Sequence, residues 1–132
     1  MNDLMNQIID GAKLIALHKG RYFQTESGLK LDSGAFVAAL EHATGQNAHI
    51  IGKPSASFFE IASSDINAKP DDLIMLGDDL INDIGGAQQA GLHAVLVQTG
   101  KFRKDLVEKS SIVPNGIINS VADLPNYLMS KK

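Results

Sequence analysis

Residues Leu73 to Ala87, reading Leu-Ile-Met-Leu-Gly-Asp-Asp-Leu-Ile-Asn-Asp-Ile-Gly-Gly-Ala, constrain the fold more than any other stretch of the chain. An apolar run stops at Gly77, Asp78 and Asp79 follow at once, and Asp83 comes one helical turn later. The pattern predicts a buried strand that delivers carboxylates to a strand-to-helix turn, followed by a helix over Asn82 to Ala90 that Gly91 stops. In open α/β sheets, ligands bind outside the carboxyl ends of the strands. A single Asp at such a turn is more often a helix cap than a ligand. Three within six residues reverse that preference, and hard carboxylate oxygens suit Mg²⁺.

The rest of the chain supplies strands and helices in alternation. Apolar residues at positions 4, 5, 8 and 9 predict a short helix over Asp3 to Ile9, ended by Asp10-Gly11. A buried strand is predicted over Lys13 to Leu17, then an irregular stretch from His18 to Asp32. Ser33 is a fitting cap for a helix that Gly45 stops. A short strand over Ala48 to Ile51 leads into the turn Gly52-Lys-Pro-Ser55, with Pro54 in the first turn of a helix over Ser57 to Ile66. After the acidic turn come a strand over His93 to Gln98, a helix over Arg103 to Lys109, a strand over Gly116 to Ile118 and a helix over Val121 to Met129. Such alternation implies βαβ units and a parallel sheet with right-handed crossovers.

At 132 residues and 44% hydrophobic, the chain is sized for one globular domain. A net charge of −3 and scattered Lys and Arg argue against a nucleic-acid surface. The clusters Lys101-Phe-Arg-Lys104 and Lys131-Lys132 read as solvated faces. There is no cysteine, hence no disulfide framework and no thiolate chemistry. No apolar run is long enough to span a bilayer and the first residues carry no signal-peptide pattern, so a cytoplasmic location and no membrane partner are expected.

Lys53, in Gly52-Lys53-Pro54, is the second candidate for chemistry. A lone loop lysine is usually solvated. At a strand-to-helix junction of the same sheet, however, its ammonium can face the crevice of Asp78 and hold a phosphate. His18, His42, His49 and His93 do not recur at metal-ligand spacing and read as surface or strand-end residues. Tyr22 and Phe23, in the irregular stretch, read as packing against a neighbouring loop.

Lys53 together with Gly77-Asp78-Asp79-Leu-Ile-Asn-Asp83 resembles motifs III and IV of the haloacid dehalogenase-like (HAD) phosphatases. The likeness extends through Lys13-Leu-Ile-Ala-Leu-His18, Gly45, Gly85-Gly-Ala-Gln-Gln-Ala-Gly91 and Val97-Gln-Thr-Gly-Lys101, and is similar to the type IIA branch. It implies a Rossmann-like, three-layer α/β fold with a parallel sheet, of which this chain is the C-terminal half. Residues 1–11 would be the remnant of the last helix of an inserted cap, and 12–132 the C-terminal part of the core. The implied reaction is Mg²⁺-dependent hydrolysis of a phosphorylated small molecule through an aspartyl-phosphate. Asp78 would be a metal ligand, Asp83 together with Asp79 would orient Lys53 or metal-bound water, and Lys53 would steady the nucleophile and the phosphoryl group; Asp79 is a second metal candidate.

The family's nucleophile lies in an Asp-x-Asp that precedes the cap, and no Asp-x-Asp occurs before Lys53. Asp10-Gly11 is a poor substitute: position 12 is Ala, and Asp-Gly is a common turn pair. The Ser/Thr of motif II has no counterpart either. The expectation is therefore a chain that holds the lysine and metal side of a site and no nucleophile, inactive alone. The competing reading is a non-catalytic α/β module that pairs with itself or with an N-terminal half through its open sheet edge. A receiver-type signalling domain fits less well, because there the acidic pair precedes the lysine.

Overall fold

The computed structural model describes residues 1–131. Element order is α1 (Asn2–Ile9), β1 (Ile15–Ala16), β2 (Tyr22–Thr25), β3 (Gly28–Leu31), α2 (Ser33–Thr44), β4 (His49–Ile50), α3 (Ala56–Asp65) and β5 (Ile74–Gly77). A π-helical turn, Leu80–Gly85, then runs into α4 (Gly86–Gln89), followed by β6 (His93–Val97), α5 (Lys104–Lys109), β7 (Gly116–Ile118) and α6 (Leu124–Met129).

The parallel sheet predicted from the alternation is present in two pieces. Strands β5, β6 and β7 pair in parallel in that order, and β1 pairs in parallel with β4. Every residue of β6 after His93 is buried, which fits its all-apolar sequence Ala-Val-Leu-Val and its central place. Alternate residues feed two cores, as the pleat requires. Ala94 and Leu96 pack with Phe59, Leu80, Ile84 and Ala87, while Val95 and Val97 pack with Ile118. The first core clamps α3 and the π turn onto the sheet, so the acidic turn is anchored by Leu80 and Ile84 on either side of Asp83.

Three local expectations need correction. The stretch from His18 to Asp32 is not irregular, because β2 and β3 form an antiparallel hairpin closed at Thr25 and Gly28. Its sequence hid this: outward residues Phe23, Leu29 and Leu31 are apolar, so polarity does not alternate. The cap of α2 is Asp32, whose carboxylate accepts from the Ser33 N–H at 2.7 Å, and Ser33 is the first helical residue. Pro54 lies outside α3, after a cis Lys53–Pro54 peptide bond, and α3 begins at Ala56, one residue before the expected Ser57.

Gly45 ends α2 in the left-handed conformation, φ +68°, as predicted from sequence. The helix expected over Asn82 to Ala90 starts earlier, at Leu80, and its first turn is wider than an α-turn. The Ile84 N–H reaches the Asp79 carbonyl five residues back at 3.2 Å. Such turns are frequent at functional sites.

Candidate active site

Strand β5 ends at Gly77, so the chain turns at the carboxyl edge of the sheet and presents Asp78, Asp79 and Asp83 there. Gly77 is required by its neighbour: a Cβ on it would lie 2.4 Å from Asp83 Oδ2. Asp83 is buried, its side chain 7% exposed, and both of its oxygens are engaged. Oδ1 accepts from Lys53 Nζ at 2.6 Å, and Oδ2 from the Asp79 N–H at 3.2 Å. The lysine arrives from the end of β4 through Gly52, which must lack a side chain because a Cβ would meet the Leu17 carbonyl oxygen at 1.9 Å. Lys53 and Asp83, 30 residues apart in sequence, thus meet as a charge-assisted hydrogen bond with the lysine side chain 37% exposed toward the cleft.

Asp79 caps the π turn. Its Oδ1 accepts from the N–H groups of Ile81 and Asn82 at 3.1 and 3.0 Å, and its Oδ2 from Asn82 Nδ2 at 2.9 Å and Lys101 Nζ at 3.1 Å. Burial by itself would raise its pKa; the hydrogen bonds from Asn82 and Lys101 outweigh that and hold the carboxyl below the usual range. Asp78 is different. Only its Oδ2 is held, by the Lys101 N–H at 2.7 Å, and its Oδ1 has no hydrogen bond among the described residues.

Lys101 is the residue that sequence reasoning misplaced. It lies not on a solvated face but in the cleft, its side chain 21% exposed, 3.1 Å from Asp79 Oδ2 and 3.9 Å from Asp32 Oδ2. The signal was its place just past the end of β6, where parallel strands gather ligands. His18 also belongs to the cleft wall: its Nδ1 accepts from the Gly20 N–H at 3.3 Å, and its Nε2 lies 3.3 Å from Ser33 Oγ and 3.7 Å from Asp32 Oδ1. Together these groups line a cleft of about 340 Å³ that includes Phe58 and Asn82, near the lower end of small-molecule sites. Two lysines and four aspartates give it a net charge of −2 with His18 neutral, a balance that one divalent cation would complete.

Among the described residues, no three His, Cys, Asp or Glu side chains converge closely enough to enclose a metal ion. Asp79 and Asp83 spend their oxygens on N–H groups and lysines. Asp78 Oδ1 is the one cleft oxygen of the turn left to donate, which is compatible with Mg²⁺, an ion that keeps several waters and takes one or two carboxylates. No helix of the described residues is long and apolar enough to cross a membrane.

A family model described as HAD-hydrolase-like matches residues 50–124, from β4 through the turn that precedes α6. The phospholysine phosphohistidine inorganic pyrophosphate phosphatase of Xenopus laevis is 44% identical over 119 residues, covering 90% of this chain and 44% of that protein. The chain thus spans about half the length of the curated relatives it matches. A 4-nitrophenylphosphatase structure from Thermotoga maritima superposes with a TM-score of 0.84 at 25% identity, over 95% of this chain and 48% of the other. A glycerol phosphate phosphatase from Mycobacterium tuberculosis, solved in complex with magnesium, gives 0.79 at 29% identity, over 93% and 37%.

Proposed function

The chain belongs to the HAD-hydrolase-like family, and we propose that it supplies the lysine and metal-holding side of a site that hydrolyses phosphate monoesters of small molecules. The observation that carries this reading is the convergence of Lys53, Asp83 and the half-free Asp78 in one cleft at the carboxyl edge of the sheet. An ammonium has three donors, and Asp83 takes one from Lys53. The remaining donors are available to phosphoryl oxygens, and Asp83 fixes the direction in which they point. Asp78 would hold Mg²⁺ through Oδ1, and the bound ion would neutralise charge that develops on the transferred phosphoryl group. Asp79 serves as the cap that shapes the turn rather than as a ligand. The names 4-nitrophenylphosphatase and glycerol phosphate phosphatase support phosphate monoesters, and the curated relative, named for phosphorylated nitrogens and pyrophosphate, supports phosphoryl hydrolysis more broadly.

Each cleft carboxylate has another role in this reading: Asp83 is paired with Lys53, Asp79 and Asp32 are caps, and Asp78, with Oδ2 held by the Lys101 N–H, gives its open Oδ1 to the cation. The nucleophile is accordingly assigned to residues outside this chain. It is tested by titrating the chain with inorganic phosphate in the presence of Mg²⁺ by calorimetry, alongside a 4-nitrophenyl phosphate assay. Phosphate binding that disappears in Lys53→Gln and weakens in Asp78→Asn, with no turnover, is the expected result. Mg²⁺-dependent turnover abolished by Asp78→Asn would sink the assignment of the nucleophile, and absence of phosphate binding would sink the site.

A second reading, pairing through an open sheet edge, is favoured by a separate observation. Among the described residues, β5 has a partner only on its β6 side, and Ile74 on it is 42% exposed.

A further inference from the structure

Lys101 touches two parts of the molecule that are far from each other and from it in sequence, the acidic turn and the foot of the hairpin. Its main-chain N–H holds Asp78 Oδ2 at 2.7 Å; its ammonium holds Asp79 Oδ2 at 3.1 Å and approaches Asp32 Oδ2 to 3.9 Å. Asp32 sits at the foot of the hairpin β2–β3, where its N–H bonds the Arg21 carbonyl at 3.2 Å and its carboxylate caps α2. The hairpin is applied directly to the acidic turn: Arg21 and Tyr22 enclose, with Asp79, Asn82 and Lys101, a void of only about 20 Å³. Beyond Lys101 one further polar link joins hairpin to loop, Arg103 Nη2 to Gln24 Oε1 at 2.7 Å. The loop's shape is equally constrained, since Gly100 adopts φ +48° and a Cβ on it would fall 1.9 Å from Asp78 Oδ2.

We propose that Lys101 is a positioning residue: its ammonium clamps the hairpin's Asp32 onto the acidic turn at Asp79, while its N–H aims Asp78 Oδ1 into the cleft. The cleft wall formed by the hairpin and the carboxylate presented to a cation are then set by one residue. The cation half of this inference rests on the reading of Asp78 given above; the hairpin half does not.

The test compares the wild-type chain with Lys101→Met, Lys101→Arg and Asp32→Asn, the last keeping a capping side chain on α2. Two readouts are taken: hydrogen exchange of the hairpin-foot amides of Asp32 and Gly34, and Mn²⁺ affinity from paramagnetic broadening of the Gly77–Asp83 amides. In Lys101→Met, exchange at the hairpin foot rises about threefold, and Mn²⁺ binding weakens by about the same factor even though the loss of an ammonium from the cleft would by charge alone tighten it. Lys101→Arg restores both, and Asp32→Asn, which removes the clamp from the hairpin side, raises exchange at the hairpin foot. Unchanged hairpin exchange in Lys101→Met, or failure of arginine to rescue it, overturns the clamp. If the wild type binds no Mn²⁺, the metal reading of Asp78 fails and the exchange measurements alone decide the clamp. If it binds Mn²⁺ but Lys101→Met binds it equally well, the inference fails and the site stands.

Discussion

Lys53 Nζ lies 2.6 Å from Asp83 Oδ1, and the two partners are unequally exposed: the aspartate side chain is 7% accessible and the lysine 37%. That asymmetry predicts unequal mutational costs. Lys53→Met leaves a carboxylate buried without its counter-charge and is expected to destabilise by about 2 kcal/mol, below the range for fully buried pairs because the lysine reaches solvent. Asp83→Asn keeps one acceptor oxygen, for the ammonium or for the Asp79 N–H but not for both; it leaves no buried charge unpaired and is expected to cost less than Lys53→Met. Urea denaturation of both variants measures the difference; equal losses would mean that the pair is no more than a surface contact.

Acid sensitivity follows from Asp79. Its carboxyl titrates below the usual range because hydrogen bonds from Asn82 and Lys101 overcome the opposing effect of burial. A carboxylate with a lowered folded pKa contributes stability that is complete above its unfolded value, near 3.9, and is lost as pH falls through the folded value. Glu41, lowered by its bonds from Lys19 and the Ala48 N–H, acts in the same direction. Stability is therefore expected to be flat from neutral pH to about 5 and to fall below about 4. Asp79→Asn keeps a capping oxygen but does not titrate, so the acid limb of its stability curve should be shallower. A limb as steep as wild type would place the acid sensitivity elsewhere.

What the sequence disclosed follows from which interactions leave a pattern. An apolar run followed by Gly-Asp-Asp announces a strand end, and β5, the acidic turn and Gly45 stand where the pattern placed them. The hairpin left none, because Phe23 and Leu31 face outward and no alternation marks the strands. The π turn was hidden because an N–H reaching back five residues has no residue signature of its own. Lys101 was hidden for another reason. Beside Arg103 and Lys104 it resembles a solvated cluster, and only the tertiary fold, which brings the ends of β3 and β5 to the loop after β6, makes it a partner of Asp32 and Asp79. Sequence also could not divide three aspartates between capping, pairing and presenting an oxygen, since that division depends on hydrogen bonds to groups 22 to 30 residues away.

Gly100→Ala probes the loop that holds Asp78. The residue has φ +48°, where a Cβ costs about 1 kcal/mol, and the added methyl would collide with Asp78 Oδ2. Asp78 must rotate or the loop must shift, so Mn²⁺ broadening at the acidic turn is expected to fall while the β6 core persists. Gly52→Ala meets a carbonyl oxygen of Leu17 instead; backbone cannot rotate away, and the junction of β1 with β4 should open. Amide chemical shifts of the two variants distinguish the cases, and a Gly100→Ala spectrum unchanged at Asp78 would refute the close approach.

The open sheet edges predict self-association. Among the described residues, β5 and β7 each lack a partner on one side, and Ile74 and Ile117 on them are 42% and 44% exposed. Unpaired strand edges carrying apolar side chains are templates for pairing, and a charged side chain placed on such an edge opposes it. The chain is expected to sediment above its monomer mass of 14.1 kDa as concentration rises. Ile74→Lys should shift it back toward the monomer, whereas Val113→Lys, an exposed residue that lies outside every strand, should not. Equal response to both substitutions would point to general hydrophobic adhesion rather than to the edge of β5, and a monomer at all concentrations would exclude edge pairing between copies.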